Sequence, residues 1–165
     1  MNVEEAIMGR RSIRSYTGEA PNEEEVLKVI EAGTWAPSGL NNQPWKFMVV
    51  RDGKTRAGLA RFTKYGRIIE GAPVAICVFL DTGTVYNRDK DVQAVGACIQ
   101  NMLLRAYELG LGTCWLGEIL NRGEEVVEYL GVDPACELMA VVSLGYPAGP
   151  AGEVSRKEMK SLLLE

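Results

Sequence analysis

DVQAVGACIQNMLLRAYELGLGTCWLGE, residues Asp91–Glu118, carries a helix signal and then a strand signal. Val92, Val95, Ile99, Met102, Leu103 and Ala106 recur at helical spacing and share one wide face, which predicts a long helix from Asp91 to Leu109. The opposite face is not a solvated one, because it mixes Gln93, Gln100, Asn101 and Glu108 with Ala94, Ala97, Cys98 and Leu104. A helix apolar over so much of its circumference needs more than one covering partner. Its small residues Ala94, Gly96, Ala97 and Cys98 would let another backbone, such as a second subunit's, come close. An ordinary core helix followed by a turn gives the same pattern. Gly110 suits the left-handed position that ends a helix. Gly112–Gly117 then reads as a short strand running into a loop of exposed backbone.

Upstream, Asn2 with Glu5 and Asn22 with Glu25 are capping-box patterns. They predict helices over Val3–Met8 and from Asn22 to about Gly33, the second with Val26, Leu27, Val29 and Ile30 on its apolar face. Lys46–Arg51 reads as a strand closed by the turn signal Asp52-Gly53, and Lys54–Phe62 as a helix. Val74–Leu80 is an uninterrupted apolar run that suits a central strand, and Asp81–Lys90 reads as a polar linker. Downstream, Asn121 with Glu124 predicts a capped helix ending at Gly131, and Leu138–Leu144 is the fourth strand. Ser155 with Glu158 predicts a last helix through Leu163. The expectation is one α+β domain over residues 1–165. It is not a dinucleotide-binding fold, because Gly110-Leu111-Gly112 follows a helix rather than a strand.

A chain of 165 residues can bury about two thirds of its unfolded surface without a metal or disulfide staple. A net charge of −4 argues against nucleic acid as the main partner. The four cysteines form no C-x-x-C pair and suit buried thiols in a reducing compartment. No apolar leader and no run of membrane-spanning length is present, which predicts a cytoplasmic protein with no membrane partner. The sequence contains no histidine. That removes Ser-His-Asp and Cys-His catalysis and His-ligated zinc, and leaves carboxylates, Lys, Tyr or a bound cofactor to carry chemistry.

Two segments hold more chemistry than a connection needs. Arg10, Arg11, Ser12, Arg14 and Ser15 form a compact donor cluster suited to a phosphate, or else a solvated basic turn. Thr34–Pro44 has no hydrophobic period but carries Pro37, Ser38, Asn41, Asn42, Gln43 and Pro44 between Trp35 and Trp45, a rigid loop rich in amide groups.

Four stretches together resemble the FMN-dependent nitroreductase family. They are Arg10–Arg14, Ala36–Trp45, Gly110–Gly117, and Leu144–Pro147 followed by Arg156-Lys157. The resemblance implies a mixed four-stranded sheet flanked by helices, with the central helix at a homodimer interface. It implies that Arg10 and Ser12 bind the FMN phosphate, joined by Arg156 and by Lys157 beside it, that Arg11 is a further FMN-binding residue, and that Arg14 stands at the flavin N1/O2 edge. It further implies that Pro37, Ser38 and Asn41 reach a flavin from the other subunit, and that the loop Trp115, Leu116, Gly117 and Glu118 lies beside the ring. The expected activity transfers hydride from NADH or NADPH, through the flavin, to a small electron-poor acceptor such as a nitroaromatic or quinone by ping-pong kinetics. Alternatives on the same fold are a dimeric FMN-storage protein, a dehalogenase and a flavin-cleaving enzyme. The chain is short in the regions that cover the substrate in larger relatives, and its C-terminal arm is expected to be short as well.

Overall fold

The computed structural model describes residues 1–164; Glu165 lies outside the described residues. Four strands form one sheet in the order β1-β2-β4-β3, with β1 Trp45–Val50, β2 Val74–Asp81, β3 Gly112–Leu116 and β4 Cys136–Gly145. All three strand pairings are antiparallel. The mixed character expected of the sheet comes only from an isolated parallel bridge, Ser12 to Thr113, which lays the arginine segment along β3.

The apolar run of β2 is explained by helices on both faces of the sheet. Val74, Ile76, Val78 and Leu80 pack on α2 (Glu23–Thr34) and α5 (Arg88–Glu108). Ala75, Cys77 and Phe79 pack under α3 (Gly53–Ala60), α4 (Gly66–Gly71) and α6 (Gly123–Leu130). A register shift between Val78 and Phe79 inserts Met139 as an extra residue in β4. Leu138 therefore joins the second face while Ala140, Val142 and Leu144 keep to the first.

α5 is the predicted central helix, but it starts at Arg88 rather than Asp91. Asn87 caps it by accepting from Lys90 N at 3.1 Å, so the end of the expected linker is helix. Ala94 and Cys98, assigned by periodicity to the outward face, are buried in the core with Val95, Ile99, Met102, Leu103 and Ala106. The outward side keeps Gly96, Ala97, Gln100, Asn101 and Leu104 half-exposed. Gly110, at φ 76°, ends the helix, and Leu111 N donates to Ala106 O at 2.8 Å.

The caps at Asn2 and Asn22 form as expected, each reciprocal with its glutamate and opening α1 (Val3–Gly9) and α2. Asp52, read as a turn residue, instead caps α3 by accepting from Thr55 N at 2.8 Å. Two predicted caps do not form. Asn121 lies inside a 3-10 turn, Glu118–Arg122, and α6 begins without a side-chain cap because Arg122 pairs with Glu125. Ser155 caps nothing, and the expected last helix is only a 3-10 turn, Met159–Leu162, in an exposed tail. α4 had no counterpart in the sequence reading.

Candidate functional site

The arginine segment is held as an extra edge beside β3. Ile13 N donates to Thr113 O at 2.8 Å, Thr17 N to Tyr146 O at 3.0 Å, and Ala148 N to Ser15 O at 3.1 Å. Gly112 permits this approach, since a Cβ there would lie 2.8 Å from Ile13 Cβ. The half-buried Tyr16 hydroxyl donates to Ile13 O at 2.8 Å and sits 2.7 Å from Ser143 Oγ, pinning the segment to β4. Burial raises that phenol's pKa well above its ordinary value, so it stays a neutral donor.

Arg10, Arg11, Ser12 and Arg14 line a cavity of about 210 Å³ together with Gly152, Glu153, Val154 and Arg156. Four arginines from the two ends of the chain thus converge on one small space. Burial, then the like charges of Arg156 and Arg11, push the Arg10 guanidinium below its ordinary pKa. Among the described residues, no acidic side chain forms an ion pair with any of the four. Arg11 is the most committed of them, donating from Nη1 to Met8 O at 2.6 Å and to Arg10 O at 2.9 Å. Lys157 does not line the cavity, whereas Gly152–Val154, which carry no motif, do.

Both Arg10 and Arg14 lie close enough to Cys114 to oppose the rise in thiol pKa that its burial causes. The cations therefore follow β3 toward Trp115–Glu118. Pairing with β4 ends at Leu116, so Gly117, which is exposed, is the first residue beyond the ladder. Glu118 turns its carboxylate away to accept from Thr63 Oγ1 at 2.6 Å and Lys64 N at 3.1 Å. The Thr63 hydrogen bond is the main reason that this carboxyl is held below its ordinary pKa. Leu116 is buried, while Trp115 is 41 % exposed, with its ring edge toward Gly96 of α5.

A terminal phosphate fits this donor set. Charge-assisted bonds from several guanidinium groups and a hydroxyl suit a doubly charged anion, which also relieves the mutual repulsion of the clustered cations. From Thr113 to Gly117 is four strand steps, about 13 Å.

Pro37, Ser38 and Asn41 are not at this cavity. They occupy the loop between α2 and β1, in which Leu40, Asn41 and Gln43 have φ of 55°, 54° and 47°. Leu40 is 85 % exposed and Trp35 82 %, so this loop and the end of α2 present apolar side chains outward. A larger groove of about 1010 Å³ runs between α5, α6 and the start of β4, lined by Val95, Ile99, Trp115, Val127, Leu138 and Met139 among others. β3 covers β4 only over Val141–Gly145. Cys136–Ala140 therefore has no strand on that side among the described residues.

Comparison with known proteins places these features in a family context. The model of the nitroreductase family matches residues 7–65 and 61–146. An Archaeoglobus fulgidus protein provisionally named NADH dehydrogenase/NAD(P)H nitroreductase is 38 % identical over 145 residues, covering 86 % of this chain and 83 % of that one. A crystal structure of a provisionally named nitroreductase from Desulfovibrio desulfuricans in complex with FMN is 49 % identical, with a TM-score of 0.95, and the match covers 100 % of this chain and 96 % of that one. The NADPH:FMN oxidoreductase of Vibrio harveyi, solved with NAD+, is 25 % identical with a TM-score of 0.89, over 98 % of this chain and 76 % of its own.

Proposed function

This chain belongs to the nitroreductase family of oxidoreductases, and from that membership we propose that it binds FMN along β3 and uses NADH or NADPH to reduce a small electron-poor acceptor, a nitroaromatic or a quinone. The observation that carries the reading is the convergence of Arg10, Arg11, Arg14, Arg156 and Ser12 on one cavity where, among the described residues, no carboxylate pairs with them, Glu153 in the lining included. Bound FMN supplies the hydride-accepting and hydride-donating centre, so no histidine is needed.

The chain's own residues bind and tune. Arg10, Ser12 and Arg156 hold the phosphate, with Arg11 adding charge while its Nη1 braces the backbone. Arg14, further along β3, offers a fixed cation where negative charge accumulates on reduction, which favours the reduced state. Beside the ring, Gly117 and Glu118 present backbone N–H groups, and Trp115 and Leu116 form the wall that carries them. One open face, occupied in turn by nicotinamide and acceptor, gives ping-pong kinetics.

The protein acts as a homodimer in this reading. Trp35, Leu40, the half-exposed small residues of α5 and the uncovered edge of β4 form apolar surface that one subunit leaves unburied. Pro37, Ser38 and Asn41, remote from their own chain's cavity, complete the site of the partner subunit.

Purified protein should be yellow, with one FMN per subunit, and should oxidise NADH or NADPH when a quinone is added. Parallel initial-rate lines at varied quinone support the ping-pong order. Protein that neither carries nor takes up FMN sinks the proposal.

A further inference from the structure

Asp91 is a buried carboxylate that the proposed chemistry does not use. It is 0 % exposed, and among the described residues no Lys or Arg pairs with it. A buried, uncompensated carboxylate is strongly unfavourable unless its acceptor sites are filled. Here Oδ2 accepts from Tyr86 N at 3.0 Å and Asn87 N at 3.2 Å, and Oδ1 accepts from Asn42 Nδ2 at 2.8 Å. Its place in the first turn of α5, a helix of 21 residues, adds the favourable end of the helix dipole.

What this carboxylate holds is the loop between α2 and β1. Asn42 Nδ2 also donates to Thr84 O at 3.1 Å, while its Oδ1 is buried without a partner, so the Asn42 side chain is anchored through Nδ2 alone. Around it, Leu40, Asn41 and Gln43 all sit in the left-handed region. Non-glycine residues stay there only where the surroundings over-determine them. Tyr86 supplies a second support, since its phenol stands where a Cβ on Gly39 would be, 1.9 Å from that position. Ser38 Oγ accepts from Gln43 N at 3.0 Å and closes the loop on itself.

We propose that Asp91 is a positioning residue which, through Asn42, locks the Ser38–Gln43 loop in the strained shape that presents Ser38 and Asn41 to the flavin of the partner subunit. This rests on the FMN-dimer reading above. The loop is fastened to the first turn of α5, the helix whose outer face meets the partner in that reading. Loop placement and subunit contact are thereby set by one rigid element.

A carboxylate suits the task because Asp91 must accept from three donors, two on one oxygen. In Asp91→Asn one oxygen becomes an amide that opposes the Asn42 amide, donor against donor. Exchanging the two groups, in Asn42→Asp/Asp91→Asn, restores a donor–acceptor pair at that point but sets a carboxylate oxygen against Thr84 O, which Asn42 Nδ2 otherwise serves.

The test uses the FMN-loaded dimer. Three quantities are measured: FMN affinity by fluorescence quenching, the shape of the bound flavin absorption band, and amide hydrogen exchange at residues 40–43. Asp91→Asn and Asn42→Ala should each weaken FMN binding about tenfold to a hundredfold, alter the band and speed exchange in the loop. The exchanged pair should recover part of the affinity lost in Asp91→Asn, the Thr84 contact staying broken. Leu59→Ala, in the core on the opposite face of the sheet, should lower thermal stability without moving these readouts. The idea is overturned if Asp91→Asn keeps affinity within about twofold of wild type with unchanged loop exchange, or if Leu59→Ala weakens FMN binding equally. Wild-type protein that takes up no FMN overturns the parent reading instead. The brace is then judged by exchange alone, and unchanged exchange in Asp91→Asn overturns it.

Discussion

Replacing Arg10 by alanine separates a ligand-binding cation from a structural one. In the protein alone, the Arg10 guanidinium is disfavoured by burial and by Arg156 and Arg11, and among the described residues no carboxylate pairs with it. Its removal therefore costs the free fold little. Surface changes of this type stay within about 0.5 kcal/mol, which for a chain of this length is a melting shift of about 2 °C or less. Toward a phosphate dianion the same group contributes about 1.5–3 kcal/mol, or about ten- to hundredfold in affinity. The assay is FMN titration at low and moderate salt, beside thermal melts of the FMN-free protein. Arg10→Ala should weaken binding by that factor, flatten its salt dependence and leave the free protein's melting point nearly unchanged. Arg10→Lys should recover the charge without the two-point grip. If the free protein is strongly destabilised while FMN affinity holds, Arg10 is a structural residue and the phosphate assignment is wrong.

Three further outcomes are expected. Arg14→Ala should lower the midpoint potential of the bound flavin and slow its reduction by NADH at saturating FMN, with Arg14→Lys restoring part of both; an effect on affinity alone would contradict its place at the ring edge. Gly112→Ala puts a methyl 2.8 Å from Ile13 Cβ and should cost about 1–3 kcal/mol in urea unfolding while loosening FMN. Burial raises the thiol pKa of Cys77 and Cys98 from 9.0 to about 12, so their protonated forms favour the folded state. That contribution is fully present below pH 9 and is lost as pH rises from 9 toward 12, so Cys77→Ala should flatten the alkaline limb of a stability–pH curve.

The parts of the fold that were legible in the sequence are those with a long period or a local cap. α5 repeats its apolar positions over five turns, and Asn2 and Asn22 act within three residues. α4 was missed because six residues bounded by glycines show no period. Asn121 failed as a cap because the Arg122–Glu125 pair organises that turn instead. Ser155 failed because the apolar positions that follow, Met159, Leu162 and Leu163, stay exposed instead of packing on the body of the protein. In the site, Arg10, Arg11, Ser12 and Arg14 were legible as neighbours, and the family motif added Arg156. Nothing in composition pointed to Asn42 and Asp91, which meet across 49 residues and separately look like a loop amide and a helix-start acid. The link from Glu118 to Thr63 was equally silent, since it joins two loops 55 residues apart.

If the chain pairs as proposed, the half of β4 without a neighbouring strand among the described residues is most open before the subunits meet. Cys136–Ala140 offers one row of backbone donors and acceptors between apolar walls. Such an edge accepts any extended peptide that can hydrogen-bond to it. Newly made subunits at low concentration would then be the form most exposed to misassociation and to quality-control proteases. Variants that weaken subunit contact should show it first as poor soluble yield, before any catalytic defect can be measured.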